Sequence, residues 1–194
     1  MGVVGHTAYE GLTVQQHNDV FKVFDDFLAD IKPDRILEIG TAGGGLTLFI
    51  RHNLPDTPIL TFEVYDQPWY DRLRENNVDV KIENIFNHAY NALGKPEAIE
   101  SFIQQEGITL VLCDGGHKIG EFNSIAPLLK KGDFIMAHDY VANKDEFDKN
   151  YYNKIWNWME IQESDIQQVS EEQNLINYNQ ENFSKVVWVC KRKQ

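Results

Sequence analysis

The chain is short of cysteine, of basic charge and of long apolar runs, and each shortage removes a class of protein. Its two cysteines, Cys113 and Cys190, each stand inside an apolar run, with no neighbouring cysteine to form a metal-type pair. They read as reduced, buried thiols packing as small hydrophobes. Lys and Arg number 18 against 30 Asp and Glu, for a net charge of −12. Such a surface repels phosphate backbones, so no nucleic-acid partner is expected. The short basic cluster Lys191-Arg192-Lys193 reads as a solvated tail. No apolar stretch approaches the ~20 residues that span a bilayer. The first residues carry no basic segment followed by an apolar one, and His6 stands where a myristoylation signal wants Ser or Thr. A cytoplasmic protein without membrane association is the expectation, with self-association left open. No repeat and no Pro/Gly/Ser-rich linker divides the chain. A single domain over 1–194 follows, with an N-terminal arm and helix (1–33) and a core (34–194).

What is present is an alternation of strand and helix patterns. The first dozen residues lack periodicity and read as an irregular arm. Thr13 and Gln16 fit a capping box, followed by Val20, Phe24, Phe27, Leu28 and Ile31 on one helical face. Lys32-Pro33-Asp34 should end that helix. Strands are expected at Arg35–Ile39, Ile59–Val64, Val78–Glu83, Ile108–Cys113 and Phe134–Ala137. Helices are expected at Leu46–His52, Trp69–Asn76, Pro96–Gln105 and Gly120–Lys130. A further helix is read at Asp145–Glu160, then strands near Ile166–Ser170 and Ser184–Cys190 joined by a loop at Asn174–Asn182. Alternation of this kind builds a doubly wound, mostly parallel α/β sheet of seven strands, closed by a C-terminal antiparallel β-hairpin.

The segment Glu38-Ile39-Gly40-Thr41-Ala42-Gly43-Gly44-Gly45 follows the first core strand and opens a helix. Glycines there let the backbone turn tightly and approach a ligand. A dinucleotide fingerprint wants glycine where Ala42 stands, and a carboxylate at Glu38 suits an ammonium-bearing ligand better than a pyrophosphate. Gly40, Thr41, Ala42, Gly43 and Gly44 are therefore candidate ligand contacts. Gly40→Val is expected to block binding without unfolding the chain. Glu63 ends the second strand, where an acidic side chain accepts hydrogen bonds from ribose hydroxyls, with Asp66 as the fallback. Asn84, at the end of the third strand, is placed to touch a base.

Asp114 ends the fourth strand, His117 follows in a glycine turn, and His138 and Asp139 end the fifth. Ligands of doubly wound sheets bind beyond the carboxyl ends of the strands, so these groups should converge. Two carboxylates and an imidazole suit a divalent cation such as Mg2+ or Mn2+. A cation on a hydroxyl lowers its pKa, and a nearby histidine can take the proton. His17 and His52 show no partner spacing, like His6 and His88. Phe147, Trp156, Trp158 and Trp188 are read as core.

RILEIGTAGGGLTLFI resembles the first motif of the small-molecule O-methyltransferases grouped with macrocin O-methyltransferase and the so-called cephalosporin hydroxylases. VLCDGGHKIGEFNSIAPLLKKGDFIMAHDY is similar to that family's later D-G-x-H … L-L-x-x-G-G-x-x-x-x-H-D signature, with Asp133 in place of a glycine. The resemblance spans Arg35 to Tyr140. It implies a Rossmann-like class I fold, S-adenosylmethionine held by the glycine loop with Glu38, Glu63, Asn84 and Asp114, and a small-molecule methyl acceptor. It further implies Asp114 and Asp139 as metal ligands, His138 as a ligand or a residue behind the ligands, Asp114 and His117 as catalytic groups, and His117 as general base. The alternatives are a nicotinamide-dependent oxidoreductase and a binding module that keeps the nucleotide without turnover. The N-terminal arm, the segment after Asp139 and the Asn174–Asn182 loop with Tyr178 are the stretches expected to reach the acceptor.

Overall fold

The structure, a computed structural model, describes residues 7–87, 92–94 and 96–194. His6 and His88 lie outside these residues. Nine strands are found among the described residues. β1 (Thr7–Tyr9) and β2 (Leu12–Val14) form a separate antiparallel pair. The main sheet holds β3 (Arg35–Ile39), β4 (Ile59–Glu63), β5 (Val78–Ile82), β6 (Thr109–Cys113), β7 (Phe134–Ala137), β8 (Leu175–Asn177) and β9 (Val189–Lys193). Their spatial order is β5-β4-β3-β6-β7-β9-β8. The first five run parallel, and β9 lies antiparallel between β7 and β8. The seven-stranded, doubly wound sheet and its antiparallel closing strands are thus as the sequence indicates.

Successive residues of a strand point to opposite faces, and here each face meets a layer of helices. Ile36, Leu110, Leu112, Met136 and Cys190 pack against α1 (Val20–Ile31), α2 (Gly45–Asn53) and α3 (Tyr70–Glu75). Leu37, Ile39, Val111, Cys113 and Ile135 pack against α4 (Pro96–Ile103), α5 (Lys118–Ile125) and α7 (Glu163–Glu172), α6 being the short turn Lys144–Glu146. Burial on both faces is why these strands read as continuous apolar runs. It also separates the two thiols: Cys190 belongs to one layer and Cys113 to the other. Lys32 takes a left-handed φ of 43° and returns its N–H to Leu28, ending α1 before Pro33. Asp133 accepts from the backbone of Thr109 and Lys130 and pairs with the Lys130 ammonium, tying the start of β6 to the turn before β7.

Four local readings are corrected. Residues 7–14 are a hairpin rather than an irregular arm, and Thr13 belongs to β2. Gln16 therefore caps nothing; α1 starts at Val20 after Asp19. The stretch Asp145–Glu160 is helical only as far as a π turn at Phe147–Tyr151. Beyond it, Asp139 draws the chain across the sheet edge through three bonds: its carboxylate takes the Trp156 indole N–H, and its carbonyl takes the amides of Glu160 and Ile161. Ile166–Ser170 is not a strand but the middle of α7, opened by a reciprocal capping pair of Gln162 and Asp165. The strand in this region is Leu175–Asn177, and a short helix α8 (Gln180–Phe183) leads on toward β9.

Gly40 shows how tightly the sheet edge is built. Its φ is +92°, and a Cβ there would stand 2.3 Å from the carbonyl oxygen of Asp114. A side chain at this position damages the fold itself, so the expectation of a folded Gly40→Val protein is withdrawn. Gly40→Ala should lower unfolding free energy by roughly 2–4 kcal/mol, from backbone strain plus the clash. Gly116→Ala, where a Cβ meets nothing within 4 Å, should stay within about 0.5 kcal/mol of the parent. Urea unfolding of the pair checks this; similar losses at both positions would refute it.

Candidate functional site

The carboxyl ends of the parallel strands open onto two adjoining cavities of about 380 and 250 Å³. Gln15, Gly40, Ala42, Asp114 and Gly115 border both. Each lies near or within the range of ordinary small-molecule sites.

The glycine loop forms one wall. Gly40 and Gly44 take φ of +92° and +74°, and Ala42 takes +45° despite its Cβ. Tertiary bonds hold Ala42 there: its N–H donates to Glu63 Oε2 at 3.0 Å, and its carbonyl accepts from Trp69 Nε1 at 3.1 Å and Tyr70 Oη at 2.8 Å. Glu63 thus supports the loop and borders the smaller cavity, beside Asn84, Ile85 and Phe86. Asn84 uses Oδ1 to accept the Phe86 amide. Thr41 Oγ1 lies 2.7 Å from Thr61 Oγ1. Beneath the loop Glu38 is buried, with Oε2 accepting from Thr47 at 2.8 Å and Thr61 at 2.6 Å. Burial pushes its pKa up to about 7; the threonine hydroxyls pull the other way, and Asp114 and Glu63 add repulsion. A Cβ on Gly43 would meet the Thr13 carbonyl at 2.3 Å, and one on Gly45 the Val14 side chain at 2.4 Å. The β1–β2 hairpin therefore lies directly on the loop.

The larger cavity brings together Asp114, His138 and Asp139, as expected. His138 is 2% exposed, with its ring between Trp156 and Trp188 at centroid distances of 5.2 and 5.1 Å. Its Nδ1 lies 3.1 Å from Asp114 Oδ1. A carboxylate oxygen can only accept, so in the neutral ring Nδ1 carries the proton and Nε2 the lone pair. That Nε2 is buried without a partner. Gln16 donates to the other Asp114 oxygen and accepts from Trp188 Nε1 at 2.9 Å. Burial raises the Asp114 pKa against the pull of His138 and Lys118. Burial acts on Asp139 in the same sense, but His138, Lys118 and the Trp156 indole hold it below the usual carboxylate range.

His117 is elsewhere. It caps α5, its Nδ1 accepting the Gly120 amide at 3.0 Å, and it lines the smaller cavity rather than the larger. Its position does not support the role of general base for an acceptor in the larger cavity. Glu121 holds its turn by accepting the amides of Gly115 and His117.

Several site residues escaped the sequence reading. Trp156 and Trp158 line the larger cavity, Trp158 with 56% of its surface exposed. Lys118 places its ammonium 3.2 Å from Asp139 Oδ2 and 3.0 Å from Glu160 Oε2. Its place four residues after Asp114 was the available signal. Among the described residues, no group of three or more His, Cys, Asp and Glu side chains surrounds a point where an ion could sit. As arranged, Asp114, His138 and Asp139 do not fit a divalent ion: their facing atoms bond to one another, to Gln16, to Trp156 and to Lys118.

A family model described as rhamnosyl O-methyltransferase/CmcI matches residues 1–191. Among solved structures, apo CmcI superposes with a TM-score of 0.63 at 15% identity, covering 97% of this chain and 76% of that one. CmcI with Mg and SAM gives 0.60 at 17% identity, covering 97% and 77%. Human N-acetylserotonin methyltransferase in complex with SAM gives 0.52 at 12% identity, covering 90% and 50%. At these identities the likeness is one of fold. Among curated proteins, none matches the sequence.

The buried Glu38 has a consequence for stability. With its pKa raised from 4.5 to about 7, the folded protein keeps a proton that the unfolded chain releases. This contribution is complete below pH 4.5 and is lost as pH rises to about 7, by at most about 1.4 kcal/mol per pH unit. Glu38→Gln should flatten, but not abolish, the decline in unfolding free energy between pH 5 and 8. Glu121, which burial also pushes up to about 7, retains its own share. Denaturant titrations across that range test this; parallel pH curves for parent and variant would refute it.

Proposed function

The chain belongs to the rhamnosyl O-methyltransferase/CmcI family, and on that footing we propose that it transfers the methyl group of S-adenosylmethionine to a hydroxyl of a small molecule. The observation that carries the reading is the pair of cavities meeting at Asp114. The smaller is bounded by Glu63 and Asn84 with Gly40 and Ala42 of the loop, the larger by the rest of the glycine loop and a part-buried Asp114–His138 pair.

The residues suit the donor. Gly43 and Gly44 keep side chains out of the loop wall, Glu38 sets a carboxyl group beneath it, and Glu63 stands where ribose hydroxyls need an acceptor. Asn84 and Phe86 border the space left for the base. S-adenosylmethionine supplies a methyl group already activated by its sulfonium, so placing the acceptor oxygen in line supplies much of the remaining rate. The acceptor then belongs to the larger cavity, against Trp156 and Trp158. The exposed indole of Trp158 offers a flat apolar face to a sugar or phenol ring.

A hydroxyl is a weak nucleophile until its proton leaves. His138, the last residue before Asp139, borders the larger cavity and is the imidazole nearest to take that proton. Asp114 fixes the ring through Nδ1 and faces the positive charge that forms on it. Charge is conserved across the step: the acceptor oxygen gains the methyl carbon, the carbon–sulfur pair stays on sulfur, and the positive charge passes to the imidazole. Water is kept from His138 by Trp156 and Trp188 on its two sides.

Calorimetry with S-adenosylmethionine, S-adenosylhomocysteine and NAD tests the donor: the two sulfur nucleotides should bind and NAD should not. Glu63→Ala should weaken S-adenosylmethionine by ~1–3 kcal/mol, the cost of unpaired ribose hydroxyls and a loosened loop. With labelled donor and a panel of sugars and phenols, His138→Gln should lose roughly 10²–10⁴-fold in transfer while donor affinity holds. Undiminished transfer by that variant would remove His138 as the base. NAD binding in preference to both sulfur nucleotides would remove the whole reading.

A further inference from the structure

Lys118 is the first residue of α5, and its side chain is almost wholly buried among carboxylates of the site. Its Nζ lies 2.9 Å from the Gly115 carbonyl, 3.0 Å from Glu160 Oε2, 3.2 Å from Asp139 Oδ2 and 3.8 Å from Asp114 Oδ1. The three carboxylates come from three places: the end of β6, the end of β7, and the segment returning across the sheet edge. An ammonium has three N–H donors, and Gly115, Glu160 and Asp139 supply one acceptor for each.

We infer that Lys118 is the resident cation of this site, standing where Asp114 and Asp139 would otherwise hold a divalent ion, so that the acceptor cavity works without a metal and excludes Mg2+ and Mn2+. The inference deepens the proposed methyl transfer and rests on it for what the cavity does.

Three features support it. Glu160 clamps Lys118 at both ends, with Oε1 accepting its backbone amide at 2.8 Å and Oε2 its ammonium. The Glu160 amide in turn donates to the Asp139 carbonyl. The lysine is thus seated by the same segment that brings Trp156 and Trp158 into the cavity, and is not a free surface chain that happened to fold inward. Second, the other carboxylate atoms facing the centre are engaged: Asp114 by Gln16 and His138, and Asp139 Oδ1 by Trp156. Third, Mg2+ needs oxygens at about 2.1 Å in near-octahedral array. Reaching them would require expelling a like charge held by three acceptors. Lys118 acts through the groups it touches. It neutralises Asp139 and Glu160 and keeps Asp114 aligned on His138, so it is a positioning residue.

Manganese makes the inference testable, because bound and free Mn2+ differ in their electron paramagnetic resonance. The full chain, with S-adenosylmethionine present, should leave the free-ion signal unchanged through millimolar Mn2+, and its methyl transfer should survive dialysis against a chelator. Lys118→Met removes the charge and leaves Asp114, Asp139 and Glu160 without their shared cation. It should raise Mn2+ affinity by roughly 10-fold or more, with transfer depressed and partly restored by the metal. Lys118→Arg, which keeps a cation, should exclude Mn2+ as the parent does. Uptake of one Mn2+ by the parent chain, or arrest of its transfer by a chelator, would overturn the inference. So would a folded Lys118→Met protein that binds no more Mn2+ than the parent. If Lys118→Met does not fold, the parent and Lys118→Arg titrations decide alone. Calorimetry of S-adenosylmethionine on the same samples separates the two ideas: absent donor binding would sink the proposed function, while the Mn2+ titration, repeated without donor, still judges the cation.

Discussion

Asp114 carries a carboxylate to the end of β6, the central strand of the sheet, and much of the site is arranged around holding it there. A buried carboxylate is tolerated only when its oxygens find donors. Here Gln16 reaches one oxygen from the segment after the β1–β2 hairpin, and His138 reaches the other from the end of β7. Its backbone is equally committed, since the carbonyl lies where a Cβ on Gly40 would project. Loop, imidazole and carboxylate are therefore one unit. The glycine that turns the loop is also the glycine that lets β3 and β6 end side by side.

The buried parallel strands were readable because doubly buried strands leave a strong mark: RILEI, ILTFE, TLVLC and FIMA are apolar on both faces and close at turns. The candidate carboxylates and His138 were readable for the same reason, being polar residues at the ends of such runs. What failed was local. Ile166, Val169 and Ser170 look like part of a strand, yet only Ile166 and Ser170 are buried in α7, at the spacing of a helical turn. Thr13 and Gln16 match a capping box in spacing, while their tertiary partners, the glycine loop and Asp114, are invisible to a local pattern. Trp156 and Trp188 read as core because indoles are apolar. They are core, but their N–H groups also bond Asp139 and Gln16 and so tie that core to the site.

Asp139, in the wall of the larger cavity, and Val187, packed in the core with Trp156, both hold left-handed conformations. Asp139 has φ +57°, and Val187, β-branched, has φ +54°. For valine this is a true outlier, and such strain persists only where surroundings over-determine it. The surroundings are visible. Val187 gives its carbonyl to the Tyr140 amide, and Asp139 gives its own to Glu160 and Ile161. The left-handed turn at Asp139 lets β7 end in a carboxylate aimed at Lys118 while the chain departs toward Trp156.

The bond between Gln16 and Trp188 joins positions 172 apart in the chain. During synthesis at ~5–20 residues per second, Gln16 waits many seconds for the indole that orients it. Until β9 slots between β7 and β8, His138 lacks one of its two ring walls and Asp114 one of its fixed donors. The glycine loop, built from residues before position 120, leaves the ribosome well before the indole that walls His138. The order of manufacture thus makes β9 the last piece of the site to be supplied.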